Sequence, residues 1–151
     1  MQTVKTPEAT KFNLKAQLLS RGRTMDLLAM TETFKADIKV YAEGGENTAH
    51  THTEEDHLFV VLQGQATFHI NRPEETKVVD VHEGVLVPKG AYYWFQSSGD
   101  ENLVLFRVGS KTTGYATGED DRIGLDGKAL PGHSAENKHI EPTFVAGKFF
   151  S

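Results

Sequence analysis

The sequence predicts an all-β domain, and three observations predict it. Six to eight short apolar or alternating runs lie between about residues 24 and 109, each closed by Gly, Pro, Asn or Asp. No ten-residue stretch carries the 3.6-residue periodicity of an amphipathic helix. At 151 residues the chain has the size of one domain with a single core. Short strands at this spacing point to a sandwich or barrel, not to βαβ units.

The elements follow in order. Residues 1 to about 22 are mixed, and "FNLKAQLLSRG" fits a short helix or an edge strand. "TMDLLAMTETFKADIKVYAEGG" holds two strand-like runs, with Phe34, Ala36, Ile38 and Val40 on one face by period two. "HLFVVLQG", "QATFHINRPEE", "TKVVDVHEGVLVPKG", "YYWFQSSGD" and "ENLVLFRVGS" continue the series. Residues 110–151 are rich in Gly, Asp, Pro and Asn and keep no periodicity. Structureless segments of this length are uncommon unless they line a surface or act in function. With Phe144, Val145, Phe149 and Phe150 at its end, this one is expected to be an extended tail. It packs on its own barrel or on a partner subunit, with partial disorder as the other outcome. One domain, 1–151, is expected, with its barrel core at about 24–109.

Composition narrows the function. There is no cysteine, hence no disulfide, thiolate ligand or cysteine nucleophile. Sixteen Lys plus Arg against 21 Asp plus Glu give a net charge of -5, with no basic cluster to follow a phosphate backbone. Nucleic acid is therefore not an expected partner. No window approaches the ~18 consecutive apolar residues of a membrane span, and "MQTVKTPEATKF" has no apolar signal-peptide core. A cytoplasmic protein that does not touch membranes is expected. No Ser-His-Asp order, P-loop or G-x-G-x-x-G supports hydrolysis by a nucleophile or nucleotide binding.

The chemistry concentrates in "GGENTAHTHTEEDHLFVVLQG". His50 and His52 are two apart, so an extended strand points both to one face. His57 follows beyond "TEED", where a turn is expected to lay the next strand antiparallel beside the first. On that strand His57, Phe59 and Val61 share a face. Three nitrogens converging from adjacent strands suit Zn²⁺, Fe²⁺, Ni²⁺ or Cu²⁺ at about 2.0–2.1 Å. The alternative is a histidine-rich surface loop. Glu54, Glu55 and Asp56 read as a solvated turn, one of which could accept from a ligand's free ring N–H.

With these motifs the chain resembles the cupin superfamily, small double-stranded β-helix barrels that carry two short signatures. The first, G-x5-H-x-H-x3,4-E-x6-G, appears as Gly44, His50, His52, His57 and Gly64 with every spacing kept and histidine in the glutamate place. The second, G-x5-P-x-G-x2-H-x3-N, appears as Pro88, Gly90, Tyr93 and Ser97, with tyrosine for histidine and serine for asparagine. His82 occupies the leading glycine slot and Gly84 comes two later. The chain looks similar to a group of small single-domain bacterial cupins with an "EDH" first motif and a "P-x-G-x-x-Y-x-F" second motif. The resemblance implies a jelly-roll-like barrel holding one divalent transition metal (Zn, Fe or Ni) on His50, His52 and His57, with Tyr93 as the candidate fourth ligand. If Tyr93 is not a ligand, it stands by the metal as an acid/base group. A homodimer is expected too. The expected function is a metal-dependent enzyme on a small carbonyl, enol or carboxylate compound, with Lewis-acid or dioxygenase chemistry. The alternative is a non-catalytic small-ligand barrel whose metal is structural or absent.

Other residues are weaker candidates. His69, His82, His133 and His139 are expected at the surface, the last two unless the tail folds over the barrel mouth. Tyr93 and Phe95 share one strand face, Tyr92 and Trp94 the other, and one pair should line the barrel with Phe59. Arg107 is expected at a strand end or in a salt bridge, or, if inward, as a carboxylate anchor.

Overall fold

The computed structural model describes residues 6–42 and 44–151, so the first five residues of the N-terminal stretch and Glu43 lie outside it. Alternating apolar and polar residues give strands with one face to bury, and they assemble into three antiparallel sheets. Strands β1 (Ala16–Arg21) and β13 (Thr143–Phe150) form a two-stranded ribbon. A five-stranded sheet runs in the order β2 (Arg23–Met30), β3 (Phe34–Tyr41), β11 (Leu103–Lys111), β6 (Glu55–Gln63) and β9 (Gly84–Val87). The opposing sheet runs β12 (Arg122–Gly124), β5 (His50–His52), β10 (Tyr93–Ser97), β7 (Ala66–Ile70) and β8 (Glu75–Val79), with β4 (Gly44–Gly45) also on β10. From β3 to β12 the chain passes repeatedly between these two sheets, which is the winding of a double-stranded β-helix.

Two cores result. Inside the barrel Tyr41, Phe59, Val61, Phe68, Phe95, Leu103 and Leu105 are buried together. Phe95 lies 5.0 Å from both Tyr41 and Phe68, so aromatic packing joins the sheets. Outside the barrel, Ala36, Ile38 and Val40 of β3 are also buried. Ile38 and Val40 pack with Ala16 and Leu19 of β1, Val104 of β11 and Phe150 of β13. The period-two apolar set of β3 therefore marks the face under the ribbon, and the opposite set, Asp37, Lys39 and Tyr41, faces the barrel interior. That inversion puts charged residues where a simple apolar-inward barrel would have none.

Backbone turns explain two motif positions. Gly64, between β6 and β7, has φ 79°, and a Cβ there would sit 2.9 Å from the Asn102 carbonyl. His82, in the family's glycine slot, holds φ 71°, the conformation that favours glycine.

The segment after residue 110 lies on its own barrel. Its first strand, β12, is too short to show periodicity, and it extends the β5 edge. A 3₁₀ turn at Ala135–Asn137, capped by Ser134, follows. The chain ends in β13. Among the described residues no helix is long and apolar enough to cross a membrane.

Leu19 is 3% exposed beneath the ribbon, and Leu86 on edge strand β9 is 63% exposed. Leu19→Ala should lower the unfolding free energy by about 2–5 kcal/mol. Leu86→Ala should change it by no more than about 0.5 kcal/mol. Urea denaturation of both variants checks the ribbon's share of the core.

Candidate metal centre

Only Thr53 and Glu54 separate β5 from β6, yet the two strands belong to opposite sheets. The hairpin expected from the spacing does not form. Both edges of β5 are taken, by β10 and β12. The amides of Glu54 and Glu55 instead donate to Asp121 Oδ2, at 2.9 and 3.1 Å. The chain thus turns the barrel corner, and His57 meets His50 and His52 across the gap between sheets.

All three histidines are buried, at 1%, 4% and 1% exposure. His52 lies 4.3 Å from His57 and 5.1 Å from His50, ring centre to ring centre. The His50 Nδ1–H donates to the Thr48 carbonyl at 2.6 Å, and the His52 Nδ1–H donates to Asp121 Oδ1 at 2.6 Å. Both bonds select the tautomer whose lone pair is on Nε2. His57 Nδ1 is 3.4 Å from the Tyr93 hydroxyl. His57 Nε2 is 3.0 Å from Glu55 Oε1, at an angle that makes no hydrogen bond. Among the described residues, Nε2 of His50, His52 and His57 are all buried without a hydrogen-bond partner. Orphaned buried imidazole nitrogens are costly unless a further group takes their lone pairs.

Glu55 completes the cluster. The acidic "EED" turn, expected to be solvated, departs at this residue, which is 6% exposed and on the inward face of β6 with His57. Donor atoms of His52, Glu55 and His57 all lie within 4.8 Å of one another, close enough to hold one metal ion. His50 stands beside this trio, against His52 and 4.6 Å from Tyr93. The Tyr115 hydroxyl donates to Glu55 Oε1 at 2.7 Å, and Lys35 Nζ lies 3.8 Å away. Gly109, on β11 between Lys35 and His57, makes the room. A Cβ there would overlap Glu55 Oε1 and sit 2.8 Å from the Tyr115 oxygen.

Burial sets the protonation states. It lowers His50 to about 3, helped by His52, and lowers His52 despite the Asp121 carboxylate. It holds His57 well below the usual imidazole range despite Glu55. Three neutral imidazoles are the metal-binding form. Burial opposes ionisation of Glu55, but His57, Tyr115 and Lys35 outweigh it and hold the carboxyl low. Burial pushes Tyr93 up to about 12, so its hydroxyl keeps its proton.

A cavity of about 410 Å³ opens beside the cluster, a size suited to a small molecule. His50, His52, Glu55 and Tyr93 line it with Lys39, Arg107 and the apolar Met25 and Leu27. Arg107 is inward and paired with Asp37, Nη2 to Oδ2 at 2.6 Å. The tail crosses the mouth and brings His133 and His139 to the rim. His69 lies outside the barrel, stacked on Trp94 at 3.9 Å, and His82 sits in an exposed turn. Tyr93 and Phe95 are buried with Phe59, and Tyr92 and Trp94 face the other way.

The comparisons bear on the fold. Residues 38–109 match the family model for the Cupin domain. Over these residues the chain is similar to the cupin family, and its fold is the cupin double-stranded β-helix. Among curated proteins none matches the sequence. The cupin domain of Schizosaccharomyces pombe Cnp3 superposes with a TM-score of 0.53 at 22% identity, over 60% of this chain and 62% of that one. This chain therefore spans under two thirds of that neighbour. KdgF from Halomonas sp. gives 0.53 at 18% identity over 60% and 80% of the two chains. An oxalate oxidase in complex with glycolate gives 0.52 at 15% over 60% and 52%. At these identities the likeness is one of fold. Within the cupin barrel, Glu55, Tyr115 and Asp121 are the site residues that motif spacing did not single out. Glu55 shares strand parity with His57, a signal present in the sequence. Tyr115 and Asp121 come from the unpatterned tail and carry none.

Two outcomes check this arrangement. Gly109→Ala should cost about 1–3 kcal/mol of stability by displacing Glu55, and adding Glu55→Ala should recover part of that loss in thermal unfolding. Glu46, whose carboxylate accepts from the Ser97 amide at 2.7 Å, is pushed up to about 7 by burial. The folded state then binds this proton more tightly, so this group's contribution to stability falls as pH rises from about 4.5 to about 7. The stability gained by Glu46→Gln over wild type should grow across that window, and a flat difference would remove the account.

Proposed function

We propose that the barrel holds one divalent transition metal and that the protein is a metal-dependent enzyme acting on a small organic molecule in the adjoining cavity. The ligands in this reading are Nε2 of His52 and His57 and a carboxylate oxygen of Glu55, with Nε2 of His50 as a further donor. The observation that carries it is the convergence of donor atoms of His52, Glu55 and His57 within 4.8 Å, with Nε2 of both histidines and of neighbouring His50 buried and unpartnered among the described residues. Imidazole and carboxylate donors in this combination suit Fe²⁺, Zn²⁺ or Ni²⁺. When bound, such a metal supplies Lewis-acid polarisation of a substrate oxygen or, as iron, activation of oxygen.

The chain's own residues have distinct tasks. Thr48 and Asp121 fix the tautomers of His50 and His52. Tyr93 keeps its proton against His57, which makes it a positioning group and a candidate acid beside the substrate rather than a phenolate ligand. Phe59, Phe68 and Phe95 close the barrel floor to water. The chemistry of the donor set and the family's metal-binding folds support the reading.

Protein purified without a chelating column should contain stoichiometric metal. His52→Ala and His57→Ala should lose it. Asp121→Asn should weaken metal affinity about 10- to 100-fold while the fold persists. Elemental analysis with competition against a chelator measures all three. A metal-free protein whose melting temperature ignores added Zn²⁺, Fe²⁺ and Ni²⁺ would overturn the reading.

A further inference from the structure

Lys39 differs from the other cations that line the cavity. Arg107 is paired with Asp37, and Arg122 with Asp120 at 2.6 Å. Lys35 reaches Glu55. Arg23 gives its guanidinium to the backbone carbonyls of Glu46, Gly132 and Asn137. Lys39 has no hydrogen bond or ion pair among the described residues, and its polar contact is the face of Tyr41, 5.5 Å away. Register places it between Met25 of β2 and Leu105 of β11, two apolar neighbours in the middle of a sheet. Its charge lies near enough to the histidines to be among those that lower His50. A cation held there with no carboxylate in direct contact among the described residues costs stability; burial and Arg107 lower its pKa despite the more distant charge of Asp37.

The second observation is an apolar shelf on the same wall. Met25, Leu27 and Met30 line the cavity while remaining 45%, 56% and 50% exposed. They follow one another along β2. Met25 is opposite Lys39, and Leu27 is opposite Asp37. Met30 is opposite Lys35, in the row that continues through Gly109 to His57. From the Lys39 row to the His57 row is four residues of strand, roughly 13 Å. A chain lying on the shelf therefore runs from the unpaired ammonium toward the histidine cluster.

We infer that Lys39 anchors the anionic head of the cavity's ligand, which is a small monocarboxylate with an apolar body lying on Met25, Leu27 and Met30. This rests on the cavity being a ligand site, as in the proposed function, but not on the metal. Arg107 does not serve as the anchor, since Asp37 already neutralises it. The wall selects against small, wholly polar acids, because Met25 and Leu27 offer them no partner.

Isothermal titration calorimetry with butanoate, hexanoate, octanoate and the matching primary amides tests this on the full-length protein. Octanoate should bind more tightly than butanoate, and at least about tenfold more tightly than octanamide. Lys39→Gln should abolish the acid-over-amide preference while leaving amide binding, metal content and melting temperature at or above wild type. Lys39→Arg should keep the preference, and Met25→Ala should weaken octanoate more than butanoate. Wild type stripped of metal by a chelator should retain the preference, which separates this inference from the metal reading. Equal binding of acid and amide, no binding of any alkanoate, or a preference unchanged in Lys39→Gln would overturn it. So would a preference lost on chelation and restored by metal, which would put the carboxylate on the metal instead.

Discussion

The carboxylate of Asp121 does three things at once. One oxygen accepts from His52 Nδ1 and the other from the amides of Glu54 and Glu55. It thereby holds the corner where the chain leaves one sheet for the other, orients a central imidazole, and ties the C-terminal segment to the barrel. Those partner bonds outweigh the burial that opposes ionisation and hold Asp121 at about 2, so the carboxylate is charged at any physiological pH. With both edges of β5 already taken by β10 and β12, these bonds fix the corner so that His57 meets His50 and His52 from the opposite sheet.

From that corner the barrel divides into two environments. Its floor is a dry aromatic and aliphatic core in which Phe59, Phe68 and Phe95 fix the distance between sheets. Its upper half is polar, because Asp37, Lys39, Glu55 and Arg107 take inward positions on β3, β6 and β11. The ribbon of β1 and β13 makes this possible. It buries the opposite face of β3, so that strand has its apolar anchor outside the barrel and can present charges within. Gly109 is the smallest part of the same design, an absent side chain that admits Glu55 and Tyr115. Buried polar groups of this kind lower stability and persist where a site needs them.

Much of this was legible before the structure. Period-two runs and turn residues located most of the barrel strands, and the spacing of Gly44, His50, His52, His57 and Gly64 pointed to the family and to the three histidines. The pairing of β5 with β10 and β12 was not legible, because strand partners 43 and 70 residues away leave no local signal. Glu55 was hidden by its neighbours: Glu54 and Asp56 make the triplet look like a solvated turn, although parity with His57 places Glu55 inward. Asp121 and Tyr115 lie in a stretch without periodicity, and their roles depend on where β12 docks. The apolar face of β3 showed plainly, but which side of the barrel it faced depended on a ribbon made from the two ends of the chain.

In the proposed reading a metal is held where the two sheets meet, on imidazoles from β5 and β6. Crystals of metal-loaded protein, measured at the absorption edge of the bound element, test it most directly. An anomalous difference peak is expected within about 2.0–2.2 Å of Nε2 of His52 and His57 and of a Glu55 oxygen. A peak confined to surface histidines such as His69 or His133, with these three side chains unligated, would contradict it.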